Sequence, residues 1–136
     1  MQCIVKLDRY YVKNMQFSLD PKRLFKDDEP HFQITPSFHR DITRVDQDNI
    51  VLTLSFKIEG DESESPFEIF ASLCGHFHIE QWESTLELKK LALNNTTAIL
   101  FPYLRALVSS ITMNANIPPY IIPVFNVVEL FEQDKH

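Results

Sequence analysis

Two histidines separated by one phenylalanine, His76 and His78, are the side chains with the clearest chemical potential in this 136-residue sequence. Residues two apart on a strand point to the same side of a sheet, and a His-X-His pair can supply half of a zinc site. Such a site needs three or four protein ligands, and on this face only Glu80 could join the pair. Two solvated histidines are therefore the favoured interpretation, and no metal centre or other cofactor is expected.

Other arrangements that resemble catalytic sites are incomplete in the same way. Cys74 and His76 share a predicted strand face as a nucleophile and base would, but no third, orienting group is evident, so a structural thiol is favoured. Asp46-Gln-Asp48 has neither the glycine nor the distal glutamate of a calcium loop and is interpreted as a turn. With two glycines in the chain, a glycine-rich phosphate cradle is excluded. We expect no enzymatic activity.

Composition narrows the class of protein further. The formal net charge of −6 at pH 7 repels phosphate backbones, and no basic cluster is longer than Lys89-Lys90, so nucleic acid is not an expected partner. Cys3 and Cys74 are too few for a disulfide scaffold and indicate reduced thiols. A chain of this length can bury one core, which predicts a single domain over residues 1–136. The charged N-terminus lacks an apolar run, so a soluble cytoplasmic protein without membrane insertion is expected.

Four strands in sequence order are predicted to position these residues. Strict alternation marks the third strand, with apolar residues at Ile50, Leu52, Leu54, Phe56 and Ile58. After an acidic tip at Glu59–Pro66, the strand Phe67–Glu80 should complete an antiparallel hairpin with it. Upstream, Phe38–Val45 forms a more polar strand and Tyr10–Leu19 forms the first. On that first strand Tyr11, Met15, Phe17 and Leu19 should share a face.

Helices are predicted after the sheet, where the apolar period changes. Leu100, Leu104, Leu107, Val108 and Ile111 recur at helical spacing. Asn95-Thr96-Thr97 offers N-capping oxygens, Pro102 should start or kink the helix, and a terminal helix should span Asn126–Asp134. Asp20–Pro36 is too broken by prolines for a helix and reads as a crossover loop. The fold class is therefore α+β: a four-stranded antiparallel sheet with a long crossover loop, followed by two helices packed on one face.

The segment between the two helices is unusually apolar. Every position from Ile117 to Phe125 is apolar or proline, and the run follows the amphipathic stretch Ile99–Leu107. A protein that binds exposed apolar segments of other chains has a reason to carry such a run, while ordinary core packing beneath the terminal helix explains it equally well. Two further classes stay open, a small-molecule-binding α+β domain and a scaffold for one folded partner.

Five features in order along nearly the whole chain resemble the SecB-type protein-export chaperones. They are Tyr11-Val-Lys13 with Phe17, the crossover loop, Gly75-His-Phe77, Ile99-Leu-Phe-Pro-Tyr-Leu-Arg105, and Ile122-Pro-Val-Phe-Asn126 with Leu130-Phe131. The resemblance implies an ATP-independent holdase that keeps unfolded preproteins competent for export. It also implies a homotetramer, a dimer of dimers, with its helices between two sheets. The residues assigned to that interface are Ile69, Ala71, Leu73, Leu100, Leu104, Leu107, Val108 and Ile111.

In this family unfolded clients lie in apolar grooves walled by the crossover loop, the second strand and the terminal helix. The groove residues implied here are Phe25, Phe32, Ile34, Phe38, Pro118, Pro119, Tyr120, Ile121, Ile122, Val127, Leu130 and Phe131. We expect apolar burial to hold many different client sequences in such a groove without any chemical step.

The family partner is the translocase motor SecA, which docks partly on acidic side chains of the outward sheet face. The matching positions are Asn14, Ser18 and Phe70, which carry no charge, and only Glu68 on the same face could supply a displaced one. Docking of SecA is therefore expected to be weakened. Some divergent relatives instead serve as chaperones of an antitoxin from a toxin-antitoxin pair, and that role stays an alternative.

Overall fold

The computed structural model describes residues 5–24, 34–59, 65–80, 85–123 and 126–131. Within these ranges the chain forms four strands and three helices. They are β1 (Val5–Leu19), α1 (Pro21–Leu24), β2 (Pro36–Arg44), β3 (Asn49–Ile58), β4 (Phe67–Ile79), α2 (Leu86–Asn114) and α3 (Val127–Leu130). The sheet has the order β1-β4-β3-β2, and every neighbouring pair is antiparallel. This architecture confirms the predicted fold class.

The long helix α2 covers one face of the sheet, which we call the inner face. Alternate residues of β3 from Ile50 to Ile58 are fully buried there, opposite the inward residues of β4. Gly75 lies on this face, and a Cβ atom added to it would lie 2.8 Å from the Phe77 ring and 3.3 Å from the Leu100 side chain. The absence of a side chain at this point therefore allows α2 to approach the sheet closely.

The first strand differs from its predicted alternation. Its pairing with β4 shifts by one residue at two places, between Leu7 and Arg9 and between Val12 and Asn14. Each extra residue reverses the faces of the side chains beyond it. Tyr11 therefore lies on the outer face opposite Cys74, whereas Met15 and the apolar residues after it face inward, so the prediction that they share one face was wrong for Tyr11.

The long helix also begins earlier than predicted. Thr85 is its N-cap and accepts a hydrogen bond from the Leu88 backbone N–H at 3.1 Å. The three residues Asn95–Thr97, predicted to cap the helix, lie inside it, and the Thr97 hydroxyl donates to the Leu93 carbonyl at 2.9 Å. Pro102 is accommodated within the helix, which continues to Asn114. Leucines and charged residues are mixed in the first turns of α2, so no clear apolar stripe marks its start.

Two further elements differ from the predicted boundaries. The crossover segment contains the short helix α1, which begins at Pro21 with Asp20 accepting from the Lys22 N–H at 3.1 Å, a favourable place for a proline. The helix α3 is capped by Asn126 and ends at Leu130, short of the predicted end, and residues 132–136 lie outside the described residues.

The helix α2 is long and apolar enough to cross a membrane when judged by length and composition alone. One side of it, including Leu100, Leu104 and Val108, is fully buried against the sheet. The same apolar character therefore serves the packing of α2 on the inner face.

Candidate functional site

An aromatic cluster lies where α2 meets the β2 edge of the sheet. The Phe38 ring of β2 lies 5.3 Å from the ring of Phe56 and 5.7 Å from that of Phe101, measured between centroids. Tyr120, beyond the end of α2, lies 6.0 Å from Phe56 on the same scale. Phe56 is fully buried, while Phe38 and Tyr120 are half-buried. The cluster therefore has a closed floor and an accessible rim.

The proline segment, defined as Ile117–Pro123, runs back along α2 and is fixed there by polar side chains. Thr112 accepts from the Tyr120 backbone N–H at 2.9 Å, and Ser109 donates to the Tyr120 carbonyl at 3.2 Å. Further along, Arg105 Nε donates to the Ile122 carbonyl at 2.9 Å. These bonds fix which side chains of the segment point inward.

The resulting orientation divides the predicted groove residues. Ile122 and Phe131 are buried in the core, and Tyr120 is half-buried, with its hydroxyl pKa raised by that burial. Ile34, Phe38, Val127 and Leu130 are half-buried and pack against the core. Pro118 and Pro119 are exposed, as is Ile121, which has 62% of its surface exposed. Phe25 and Phe32 lie outside the described residues. The apolar run is therefore partly core and partly surface.

Arg40 is a residue of this site that sequence reasoning missed. It lies on the inward side of β2, where its Nη1 donates to Asn94 Oδ1 at 3.1 Å and to Thr97 Oγ1 at 3.0 Å on α2. Its Cζ lies 4.7 Å from the centroid of the Phe131 ring, the geometry of a cation–π contact. An arginine at an inward position between Phe38 and Ile42 is the signal that could have identified it.

Most of the residues predicted for an oligomer interface are buried within the single chain. A single chain already buries Ile69, Ala71, Leu73, Leu100, Leu104 and Val108 in its own core, and Leu107 and Ile111 are half-buried. The packing of α2 on the sheet thus covers most of these side chains within one chain, and their role in assembly stays a prediction.

Exposed apolar side chains are found instead on the inner face near β1. They are Tyr10, Val12 and Met15 of β1 with Ile99 and Tyr103 of α2, and the rings of Tyr10 and Tyr103 stack with centroids 4.2 Å apart. This group, the β1-side patch, lies across the inner face from the aromatic cluster.

The four residues predicted for motor docking all lie on the outer face. Asn14 is opposite Ser72, and Ser18 donates to Glu68 Oε2 at 3.4 Å. A cavity of about 520 Å³ opens beside them, with Phe70, Glu68 and the Lys57–Glu59 ion pair among its lining residues. The side chains that surround it thus combine an aromatic ring with charges of both signs.

The histidines and the cysteine of the outer face have local partners. His76 Nε2 is 3.2 Å from the Tyr11 hydroxyl, and His78 lies between Asn49 Oδ1 at 3.2 Å and Glu80 Oε1 at 3.4 Å. Cys74 is buried, and its Sγ lies 3.4 Å from the Thr53 hydroxyl. The pKa of Tyr11 is raised, mainly by desolvation and to a smaller extent by the nearby Cys74. Across the part of the chain that the structure describes, no three His, Cys, Asp or Glu residues are grouped to hold a metal ion.

Asp46 and Asp48, the acidic pair of the sequence, lie in the turn between β2 and β3. Asp46 accepts from the Asn49 side-chain amide at 2.8 Å and from the Asp48 backbone N–H at 3.0 Å. Both hydrogen bonds lower the pKa of Asp46, and the bond from Asn49 has the larger effect. The carboxylate therefore stabilises the turn.

Comparison with known proteins gives a consistent result. The family model described as "Preprotein translocase subunit SecB" matches residues 1–136. An uncharacterised protein of Methanocaldococcus jannaschii is 31% identical over 130 residues, which are 93% of this chain and 81% of that protein. The protein-export protein SecB of Bartonella bacilliformis is 28% identical over 126 residues, 90% of this chain and 78% of its own length.

The fold is similar to that of a solved chaperone. The SecB-like chaperone of Mycobacterium tuberculosis, determined in complex with a ChAD peptide from the HigA1 antitoxin, superposes with a TM-score of 0.65 at 15% identity. The match covers 89% of this chain and 90% of that one. At this identity the likeness concerns the fold.

Proposed function

This chain belongs to the SecB family, and from that premise we propose that it is an ATP-independent holdase chaperone that binds unfolded or preprotein chains in an apolar groove. The groove runs along the β2 edge and is walled by the proline segment and α3. Binding requires no chemical step, and the chaperone works by covering apolar segments that would otherwise associate.

The observation that carries the proposal is the exposed rim of the proline segment. Ile121 and its proline neighbours present apolar surface to solvent directly beside the half-buried Tyr120. Covering a side chain of this size contributes about 1.5–3 kcal/mol, so a few such contacts suffice for weak, sequence-tolerant binding. Among the described strands, β2 pairs with β3 alone and lies at the edge of the sheet, where an extended client could add hydrogen bonds.

We further propose that the chain functions in the cytoplasm as a homotetramer. The β1-side patch supports this, because its tyrosine, valine, methionine and isoleucine side chains are exposed in a single chain and a second copy would cover them. The surface for assembly is then separate from the client groove.

A second candidate is a chaperone dedicated to one antitoxin. The solved neighbour is a SecB-like chaperone that holds an antitoxin peptide, which supports this role by analogy of fold. The uncharged side chains of Asn14 and Ser18, where the family carries acidic docking residues, also favour it over delivery to SecA. Glu68 would remain as the main charge for any docking of the motor.

The first test is suppression of aggregation without ATP. A chemically denatured protein unrelated to any antitoxin would be diluted into buffer with this chain, and light scattering would report both aggregation and the mass of the assembly. Suppression by a tetramer supports a general holdase. A tetramer that protects an antitoxin but not unrelated clients supports the dedicated role, and protection of neither contradicts the proposal.

A further inference from the structure

The guanidinium of Arg40 is held in a fixed orientation against the ring of Phe131. Two side-chain oxygens on α2, from Asn94 and Thr97, accept hydrogen bonds from its Nη1 atom at 3.1 and 3.0 Å. Its Cζ is 4.7 Å from the Phe131 ring centroid. The partners on α2 fix the guanidinium in place, and the cation is therefore positioned in advance for an aromatic ring.

Phe131 is buried far more completely than the segment that carries it. The ring has 3% of its surface exposed, yet the preceding helix α3 is four residues long and contains no buried residue. Among the helices and strands of the described chain, α3 lies close to α2 alone. A single aromatic side chain thus fills a site built by β2 and α2, while the helix before it contributes only the half-buried side chains of Val127 and Leu130 to the core.

We propose that Phe131 is an internal occupant of an aromatic subsite, and that an aromatic side chain of a bound polypeptide displaces it and packs on the Arg40 guanidinium. This inference rests on the proposed groove function and adds a specificity-determining residue to it. The neighbouring ring of Phe38 lies two residues away on the same face of β2 and completes an aromatic surrounding. The proposed occupant is therefore phenylalanine, tyrosine or tryptophan within an extended apolar segment.

The chemistry distinguishes an aromatic from an aliphatic occupant. Both gain from leaving water, but only a π face is attracted to the guanidinium. Since Phe131 already provides that contact, an aliphatic client that displaces it loses the cation–π attraction, whereas an aromatic client restores it. Phe131 thereby sets a threshold that favours aromatic segments.

Two peptides of identical apolar sequence, one with a central phenylalanine and one with cyclohexylalanine, would test the subsite. Cyclohexylalanine keeps the shape and apolar surface of the ring without its π face. Fluorescence anisotropy should show the phenylalanine peptide binding the wild-type chain roughly two- to thirtyfold more tightly. In Arg40→Met that ratio should fall to about one, since the π face loses its cation. The matched control Arg44→Met removes a guanidinium from the exposed end of the same strand and should retain the preference.

The variant Phe131→Ala provides a second test that leaves the hydrogen bonds of Arg40 in place. It should raise the affinity for both peptides, and more for the phenylalanine peptide, because the internal competitor is gone. Circular dichroism and urea denaturation would establish that each variant is folded.

Four outcomes would overturn the subsite. They are equal affinity of the wild-type chain for the two peptides, a preference that survives Arg40→Met, a preference lost in Arg44→Met, and no tightening in folded Phe131→Ala. If both peptides bind equally well, only the subsite is wrong. If neither peptide binds and aggregation of a denatured protein is not suppressed, the proposed chaperone function is wrong as well.

Discussion

The two edges of the sheet differ in what covers their inward side chains. At the β2 edge, the proline segment and the residue after α3 are folded back over the aromatic cluster, which leaves a rim of half-buried rings and an exposed Ile121. At the β1 edge, Val12 and Met15 are exposed beside a Tyr10–Tyr103 stack. The inner face is therefore covered at the β2 edge and open at the β1 edge. Under the proposed function, the covered edge is the groove for changing clients and the open edge is the surface for a permanent partner.

Truncation of the core beneath each edge should have the largest effect. Phe56 lies under the β2 cluster and Leu73 lies opposite Val12 of β1, and both are essentially fully buried. Phe56→Ala and Leu73→Ala should each lower the free energy of unfolding by about 2–5 kcal/mol, measured by urea denaturation. Under conditions where both variants are folded, only Phe56→Ala should also weaken client binding. Equal weakening by Leu73→Ala would show that the groove is not local to the β2 edge.

A charge placed on each rim should separate the two surfaces. Ile121 and Met15 are matched in exposure, at 62% and 61%. Ile121→Asp should weaken binding of an unfolded client roughly tenfold, because an apolar contact is lost, and leave the mass of the assembly unchanged. Met15→Asp should reduce that mass. Client binding and light scattering would be measured for both, and exchanged results would reverse the assignment of the two edges.

Loosening the proline segment should have a moderate effect. Thr112→Val removes the acceptor of the Tyr120 N–H, and leaving that group unsatisfied should lower stability by about 1–3 kcal/mol and weaken client binding. Thr96→Val is the matched control, since its equally buried hydroxyl donates only to Leu93 within α2. Chemical denaturation should show a smaller loss for the control and no change in client affinity. A control that weakens client binding as strongly would remove the segment from the explanation.

The turn that leads from β2 into β3 should give the smallest effect. The pKa of Asp46 is lower in the folded chain than in the unfolded chain, where it is about 4. The ionised carboxylate therefore stabilises the fold above about pH 4, and this contribution disappears as the pH falls through the folded pKa. Asp46→Asn should therefore lower the melting temperature slightly at pH 7 and converge with wild type in acid. A difference that persists below about pH 2 would assign the effect to something other than this ionisation.

An element can be predicted from the sequence when its pattern of apolar residues follows from the burial of a single face. The alternation from Ile50 to Ile58 is unbroken because one face of β3 is buried throughout, and its strand was predicted closely. In β1 the bulges lie among exposed residues, where the pattern of apolar and polar residues does not change at the bulge. The sequence therefore could not predict which face of the sheet carries Tyr11. The start of α2 was missed because its first turns are largely exposed and mix leucines with charged residues, whereas Thr96 and Thr97 form part of the buried side.

For the candidate site, the apolar run from Ile117 was visible but its division was not. Whether Ile122 or Ile121 faces the core depends on the hydrogen bonds from Arg105 and Ser109, which are contacts between residues distant in sequence. The role of Arg40 is similarly non-local, since its partners lie on α2 and beyond α3. The periodicity of apolar residues predicts local helices and strands, but it does not predict contacts between residues that are far apart in the sequence.

The prolines of the segment Ile117–Pro123 also affect the tendency of the protein itself to aggregate. An exposed apolar stretch is normally a template for amyloid-like stacking, which requires backbone N–H and carbonyl groups free to pair with the next chain. Here Pro118, Pro119 and Pro123 have no N–H, the Tyr120 N–H is bonded to Thr112, and the carbonyls of Tyr120 and Ile122 already accept hydrogen bonds. The segment can therefore offer its side chains to others while its own backbone resists fibre formation.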